Sequence, residues 1–180
     1  MNLFLLKRLF VSLSLAPVLV MSFSAKSVEF EFNVTVDKQT CKLSVLGTSN
    51  NEVNFGNISS SKIKNNLVDP LPIKVLLTDC KSNDFSDSYI TMSAKSSLNA
   101  VTFNDDTTKS FGIRVSEKNT VAQSTNTDDF LKSGEKVWEN IKGNALEKIF
   151  YTYIKCKDAI SCTPEGGGFS ATLTFSYIVD

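Results

Sequence analysis

The chain has 180 residues, with 19 Lys and Arg against 19 Asp and Glu, four Cys and no His. A balanced charge without a basic cluster argues against nucleic acid as a partner. The absence of His removes Ser-His-Asp and Cys-His catalysis and His-ligated metal sites, so the chain is read as neither an enzyme nor a cofactor protein.

Residues 1–25 read as a secretory signal peptide. Lys7 and Arg8 close a positive start, Leu9–Val20 is apolar, and Ser22-Phe23-Ser24-Ala25 offers small residues for cleavage. The apolar run is shorter than the about 20 residues of a membrane anchor. Export makes an even number of cysteines a sign of disulfides, for which three pairings are possible. Cys41 and Cys80 end separate strand-like segments, and Cys156 and Cys162 flank a turn-like Lys-Asp-Ala-Ile-Ser. The pairing adopted is Cys41 with Cys80 and Cys156 with Cys162. Close CxxC pairs that would suit a metal are missing.

The mature chain opens with alternation: Val28, Phe30, Phe32, Val34 and Val36 interleave with Glu29, Glu31, Asn33 and Thr35, a one-faced strand. Leu43, Val45 and Leu46 lead to a turn at Gly47–Asn51. Val53–Ile58 reads as a short strand, followed by a polar loop rich in Ser, Lys and Asn. After Pro70-Leu71-Pro72 comes the strongly apolar strand Ile73–Cys80. Tyr89–Met92, Val101 with Phe103, and Phe111–Val115 read as further strands. Glu117–Ser133 is a long polar loop, and Trp138–Lys148 has room for one helical turn.

Ile149–Ile154 is a strand, joined through the second cysteine pair and Gly166-Gly167-Gly168 to the terminal one. In that last stretch Phe169, Ala171, Leu173, Phe175, Tyr177 and Val179 point one way and Ser170, Thr172, Thr174 and Ser176 the other. Many short strands, frequent turns and almost no helix indicate an all-β sandwich. A one-faced apolar strand where the chain ends leaves an edge that something must cover.

These elements, in this order behind a signal peptide, resemble the chaperone-usher fimbrial subunits, the type 1-like pilins. The resemblance rests on the arm before Cys41, Val53-Asn54-Phe55-Gly56, Pro72–Cys80, Phe111-Gly112-Ile113-Arg114-Val115 and Gly168–Phe175. It implies an incomplete immunoglobulin-like sandwich lacking its last strand and completed by donor-strand exchange. The implied division is a signal peptide (1–25), a donor-strand arm (26–36) and a pilin domain (37–180). On that basis Phe30, Phe32, Val34 and Val36 are donor residues. Phe169, Ala171, Leu173, Phe175, Tyr177 and Val179 line the acceptor groove and the chaperone-binding strand. The pattern of Val28–Val36 also suits the domain's own first strand.

The implied partners are other fimbrial subunits, a periplasmic chaperone and an outer-membrane usher. The implied destination is the bacterial surface, reached through the periplasm. Two departures stand out. Val34 occupies the slot where pilin arms commonly carry glycine, and Val179 stands where a penultimate tyrosine is usual, with Tyr177 two residues earlier.

The Lys- and Asn-rich composition and 13 Phe suit a minor or tip-proximal subunit. The alternative is a carbohydrate-binding tip adhesin, for which Tyr89, Trp138 or Tyr153 would be the sugar platform. There is no length for the separate lectin domain such adhesins carry, so contact with a host glycan is expected only indirectly. For a secreted hydrolase, Asp105-Asp106 and Asp128-Asp129 supply paired carboxylates. Adjacent residues point apart, which favours solvated loop acids.

Overall fold

A computed structural model describes residues 41–180 except 50, 82, 83, 159 and 161. The signal peptide and the arm residues Phe30, Phe32, Val34 and Val36 therefore lie outside the described residues. The strands are β1 (Lys42–Leu46), β2 (Leu71–Thr78), β3 (Ser88–Ala94), β4 (Ser97–Asn99), β5 (Thr102–Phe103), β6 (Phe111–Ser116), β7 (Glu135–Trp138), β8 (Glu147–Cys156) and β9 (Leu173–Val179). They form a larger sheet in the order β1-β2-β8-β6-β5-β4 and a smaller one in the order β7-β3-β9, with all pairings antiparallel.

Period-two alternation sends Ile73, Val75 and Leu77 of β2, Ile113 and Val115 of β6, and Phe150 and Ile154 of β8 inward. There they form one core with Ile90 and Met92 of β3. Each such side chain contributes about 1.5–3 kcal/mol on burial. Pro72 sits where β2 runs past the end of β1, whose last partner is Lys74, so its missing N–H costs no ladder bond on that side.

β6 departs from one-sided burial, because all six of its residues are buried. The loop from Glu117 to Ser133 lies over its outer face and makes a second small core of Val101, Val121, Phe130 and Tyr153. Phe130 meets Tyr153 edge to face, with ring centres 5.8 Å apart. Two cations are buried in this layer. Arg114 donates to the Thr102 hydroxyl (2.8 Å) and the Cys156 carbonyl (2.9 Å). Lys155 donates to the carbonyls of Ala122 (2.7 Å) and Ser124 (2.9 Å). The Tyr153 hydroxyl donates to Lys118 O at 2.6 Å. The loop is thereby fastened by its own backbone oxygens, which buried polar groups require.

Four local expectations are corrected. Val53–Ile58 is not a strand. The Asn54 side chain accepts from Gly56 N (2.7 Å), the Thr48 hydroxyl accepts from Asn54 N (2.8 Å), and Gly56 is left-handed at φ 65°, so side-chain oxygens take donors a ladder needs. Trp138–Lys148, which had room for one helical turn, holds none: it carries the end of β7, a Lys142–Ala145 bridge and the start of β8. The described α-helix is Ser60–Lys64, inside the stretch read as a polar loop. Ser59 caps it by accepting from Lys62 N, and Ile63 is its buried anchor. Lastly, the terminal strand starts at Leu173, so Phe169 and Ala171 precede it.

Candidate assembly groove

The two sheets each present one free edge on the same side of the molecule. Among the described residues β1 pairs only with β2, and β9 only with β3. Between these edges lies a groove of about 740 Å³. Its floor is the inner face of the larger sheet, with Ile73, Phe111, Ile113, Thr152 and Ile154. Val45 and the stretch 53–58 form one wall, and the stretch 165–171 with Leu173 and Phe175 forms the other. The Thr152 hydroxyl is spent internally, donating to Leu71 O at 2.8 Å, so the floor offers side-chain surface and little free polarity.

The reason β9 begins late is visible in its hydrogen bonds. Asp105 receives Thr172 N (3.1 Å) and the Thr172 hydroxyl (2.7 Å), and Asp105 N donates to Ser170 O (2.8 Å). The stretch 169–172 is thus tied to the turn after β5 and only then joins the ladder with β3. The Thr172 hydroxyl bond, helped by the Thr172 N–H and Lys95 and opposed by partial burial, holds the Asp105 carboxyl below its ordinary value. Side-chain alternation nevertheless runs through the break, with Phe169, Ala171, Leu173 and Phe175 half-buried and Ser170, Thr172 and Thr174 exposed. Phe169 stacks edge to face on Phe111 at 4.9 Å, and Phe175 lies 6.0 Å from Phe150. Of the expected groove residues, Phe169, Ala171, Leu173 and Phe175 line the cavity. Tyr177 and Val179 continue β9 beyond it. Among the described residues, the Tyr177 hydroxyl is the buried side-chain polar atom without a partner.

The wall and floor residues Val45, Val53, Phe55, Ile58, Ile73, Ile113 and Ile154 were missed as groove residues. The strands that carry Val45, Ile73, Ile113 and Ile154 were readable, but which strands border the opening depends on strand order, which a local pattern does not encode. The groove's stiffening is covalent at two points. Cys41, just before β1, is bonded to Cys80, just after β2. Cys156, the last residue of β8, is bonded to Cys162 and closes a small turn whose Ile160 is fully exposed.

Most of the side chains named for the alternative readings are buried or engaged with neighbours. Trp138 (7% exposed) and Tyr153 (1%) are core residues. Lys136 Nζ lies 3.8 Å above the Tyr89 ring, so the three aromatics make no open sugar platform. Of the acid pairs, Asp105 binds Thr172, Asp106 accepts from Thr108, and Asp129 is held by Lys118 and Ser124. Among the described residues no group of acidic or cysteine side chains is arranged to hold a metal, and no helix is long and apolar enough to cross a membrane.

The fimbrial protein family model matches residues 29–180. The chain belongs to the fimbrial protein family. It is a structural fimbrial subunit, of a family that is structural in general, and its two antiparallel sheets are an immunoglobulin-like sandwich. No curated protein matches it. Among solved structures it is similar to the P pilus rod subunit PapA, at 17% identity and TM-score 0.59, over 84% of this chain and 100% of that one. It is also similar to a structure from a chaperone-usher pilus, at 15% identity and TM-score 0.49, over 87% of this chain and 97% of that one. The likeness to PapA lies in the fold.

Proposed function

We propose that this fimbrial subunit is assembled by strand addition, its groove taking an extended strand from outside its own sandwich. In the fibre that strand is the N-terminal arm of a neighbouring subunit. Before assembly, in the periplasm, it is a strand of a chaperone, which hands the subunit to an outer-membrane usher. The subunit's own arm, residues 26–36, enters the next groove with Phe30, Phe32, Val34 and Val36. Main-chain bonding to the free edges of β1 and β9 supplies affinity, and alternate side chains filling the groove supply fit. Export by the signal peptide and display on the cell surface complete the route.

The observation that carries this reading is the groove, apolar along its floor, between two unpaired strand edges. Left in water, it leaves the half-buried wall side chains Val45, Val53, Phe55, Leu173 and Phe175 and a ladder's worth of backbone groups without cover. Four inserted side chains at about 1.5–3 kcal/mol each, before ordering costs, make a very slowly dissociating joint.

The test is Phe32→Asp. A charge forced into an apolar pocket of the partner prevents insertion, so fibre incorporation is lost while the chaperone complex is still pulled down. Loss of both, or of neither, sinks the donor role of the arm.

A further inference from the structure

The groove's lining carries two charged residues and both are acidic: Glu52 on the wall that follows β1 and Glu165 on the wall that precedes β9. Both side chains are exposed, and neither belongs to an ion pair among the described residues. A strand lying in the groove turns alternate side chains down to the floor and the others up to the mouth, about 4.8 Å from each flanking edge. The mouth-facing side chains are thus the ones that share the solvent side of the groove with the two exposed glutamates. In this chain's own arm the residues between Phe30, Phe32, Val34 and Val36 are Glu29, Glu31, Asn33 and Thr35. The arm is acidic where the groove's rim is acidic.

We propose that Glu52 and Glu165 make the groove select against strands that are acidic at their mouth-facing positions, this chain's own arm among them. The favoured occupant is the arm of a different subunit, neutral or basic at those positions. Rim charges act chiefly on encounter rate and partner choice, and like charges brought together suppress the wrong partner. The apolar floor accepts any well-spaced strand. The rim decides which one arrives first. The subunit would then sit between unlike neighbours, as a minor or adaptor position requires, and not in a run of identical copies. This inference rests on the strand-addition reading.

The experiment uses the mature subunit held by its chaperone and two synthetic peptides: residues 26–40 of this chain, and the same peptide with Glu29→Lys and Glu31→Lys. The rate at which each displaces the chaperone is followed at low and high salt. The lysine peptide is expected to enter roughly three- to tenfold faster at low salt, the gap closing as screening increases. A Glu52→Gln, Glu165→Gln subunit should take both peptides at similar rates. Equal rates on the unaltered subunit overturn the charge selection, as does a gap that survives in the double variant. If neither peptide displaces the chaperone at any salt, strand addition itself fails, and the selection with it.

Discussion

The two faces of β8 solve the same problem in opposite ways. On the outer face, Tyr153 and Lys155 are covered by the chain's own loop, and the hydroxyl and ammonium both find carbonyls of that loop. On the inner face, Ile154 and Thr152 look into a groove that the described residues leave open, and the one hydroxyl there is bonded to its own sheet. Where the chain supplies its own cover, it can bury cations, because the partners are fixed in sequence. Where, on the strand-addition reading, the cover comes from another molecule, it presents apolar surface and backbone edges, which any strand of suitable spacing can satisfy. The polarity of a buried layer therefore reports who was meant to cover it.

The largest expected effect is on the open side. Cys80→Ser frees β1, one border of the groove, and removing such a bridge typically costs about 2–5 kcal/mol. The variant should accumulate poorly in the periplasm, and normal yield with normal fibre incorporation would contradict the role given to the bridge.

The closed side is tested through Lys155, where burial, reinforced by the Arg114 guanidinium, lowers the ammonium to about 8. The unfolded chain keeps that proton up to the ordinary lysine value, so the folded state binds fewer protons between pH 8 and about 10.4. Stability therefore rises with pH across that window, and the cost of burying the charge is fully present below it. In a subunit with a donor strand fused at its C-terminus, the parent should gain up to about 3 kcal/mol on Lys155→Met between pH 7.5 and 10.5. A constant difference in urea unfolding would show the ammonium to be uncoupled from the loop.

The smallest effect returns to the groove. Asp105→Ala removes charge-assisted bonds to Thr172, worth about 1–3 kcal/mol. It should speed amide exchange in 169–172 while leaving the outer loop protected. Because the Asp105 carboxyl is held below its ordinary value, its contribution is present above that value and fades as the pH falls through the lower, folded-state one. Equal acceleration on both faces would mean that the two layers do not open separately.

Much of this was legible in the sequence, for a definable reason. β2, β6 and β8 were found because they are short runs rich in apolar, β-branched and aromatic residues bounded by polar turns, a local property. The groove-facing half of the last stretch was found in the same way, though its ladder starts at Leu173 because Asp105 captures Thr172, a contact across 67 positions. The Val53–Phe55 pattern misled for a similar reason, since hydrophobic alternation does not register the side-chain oxygens of Asn54 and Thr48 that take up the backbone donors. Tyr153 was offered as a surface platform because parity alone cannot show that a polar loop lies over an outer face, whereas Trp138 packs into the main core. The short helix at Ser60–Lys64 has one apolar anchor, Ile63, too little for a visible period.

The position of Cys41 has a mechanical meaning. If neighbouring subunits are joined through the arm, tension along the fibre reaches each domain at the residue where its arm ends, directly ahead of β1. An edge strand of five residues pulled from its end would unzip, one rung after another, beginning at Lys42 opposite Thr78. The bond from Cys41 to Cys80 lies at that same end. It carries the load past the first rung into β2, which is hydrogen-bonded on both sides, so the edge strand is spared the pull.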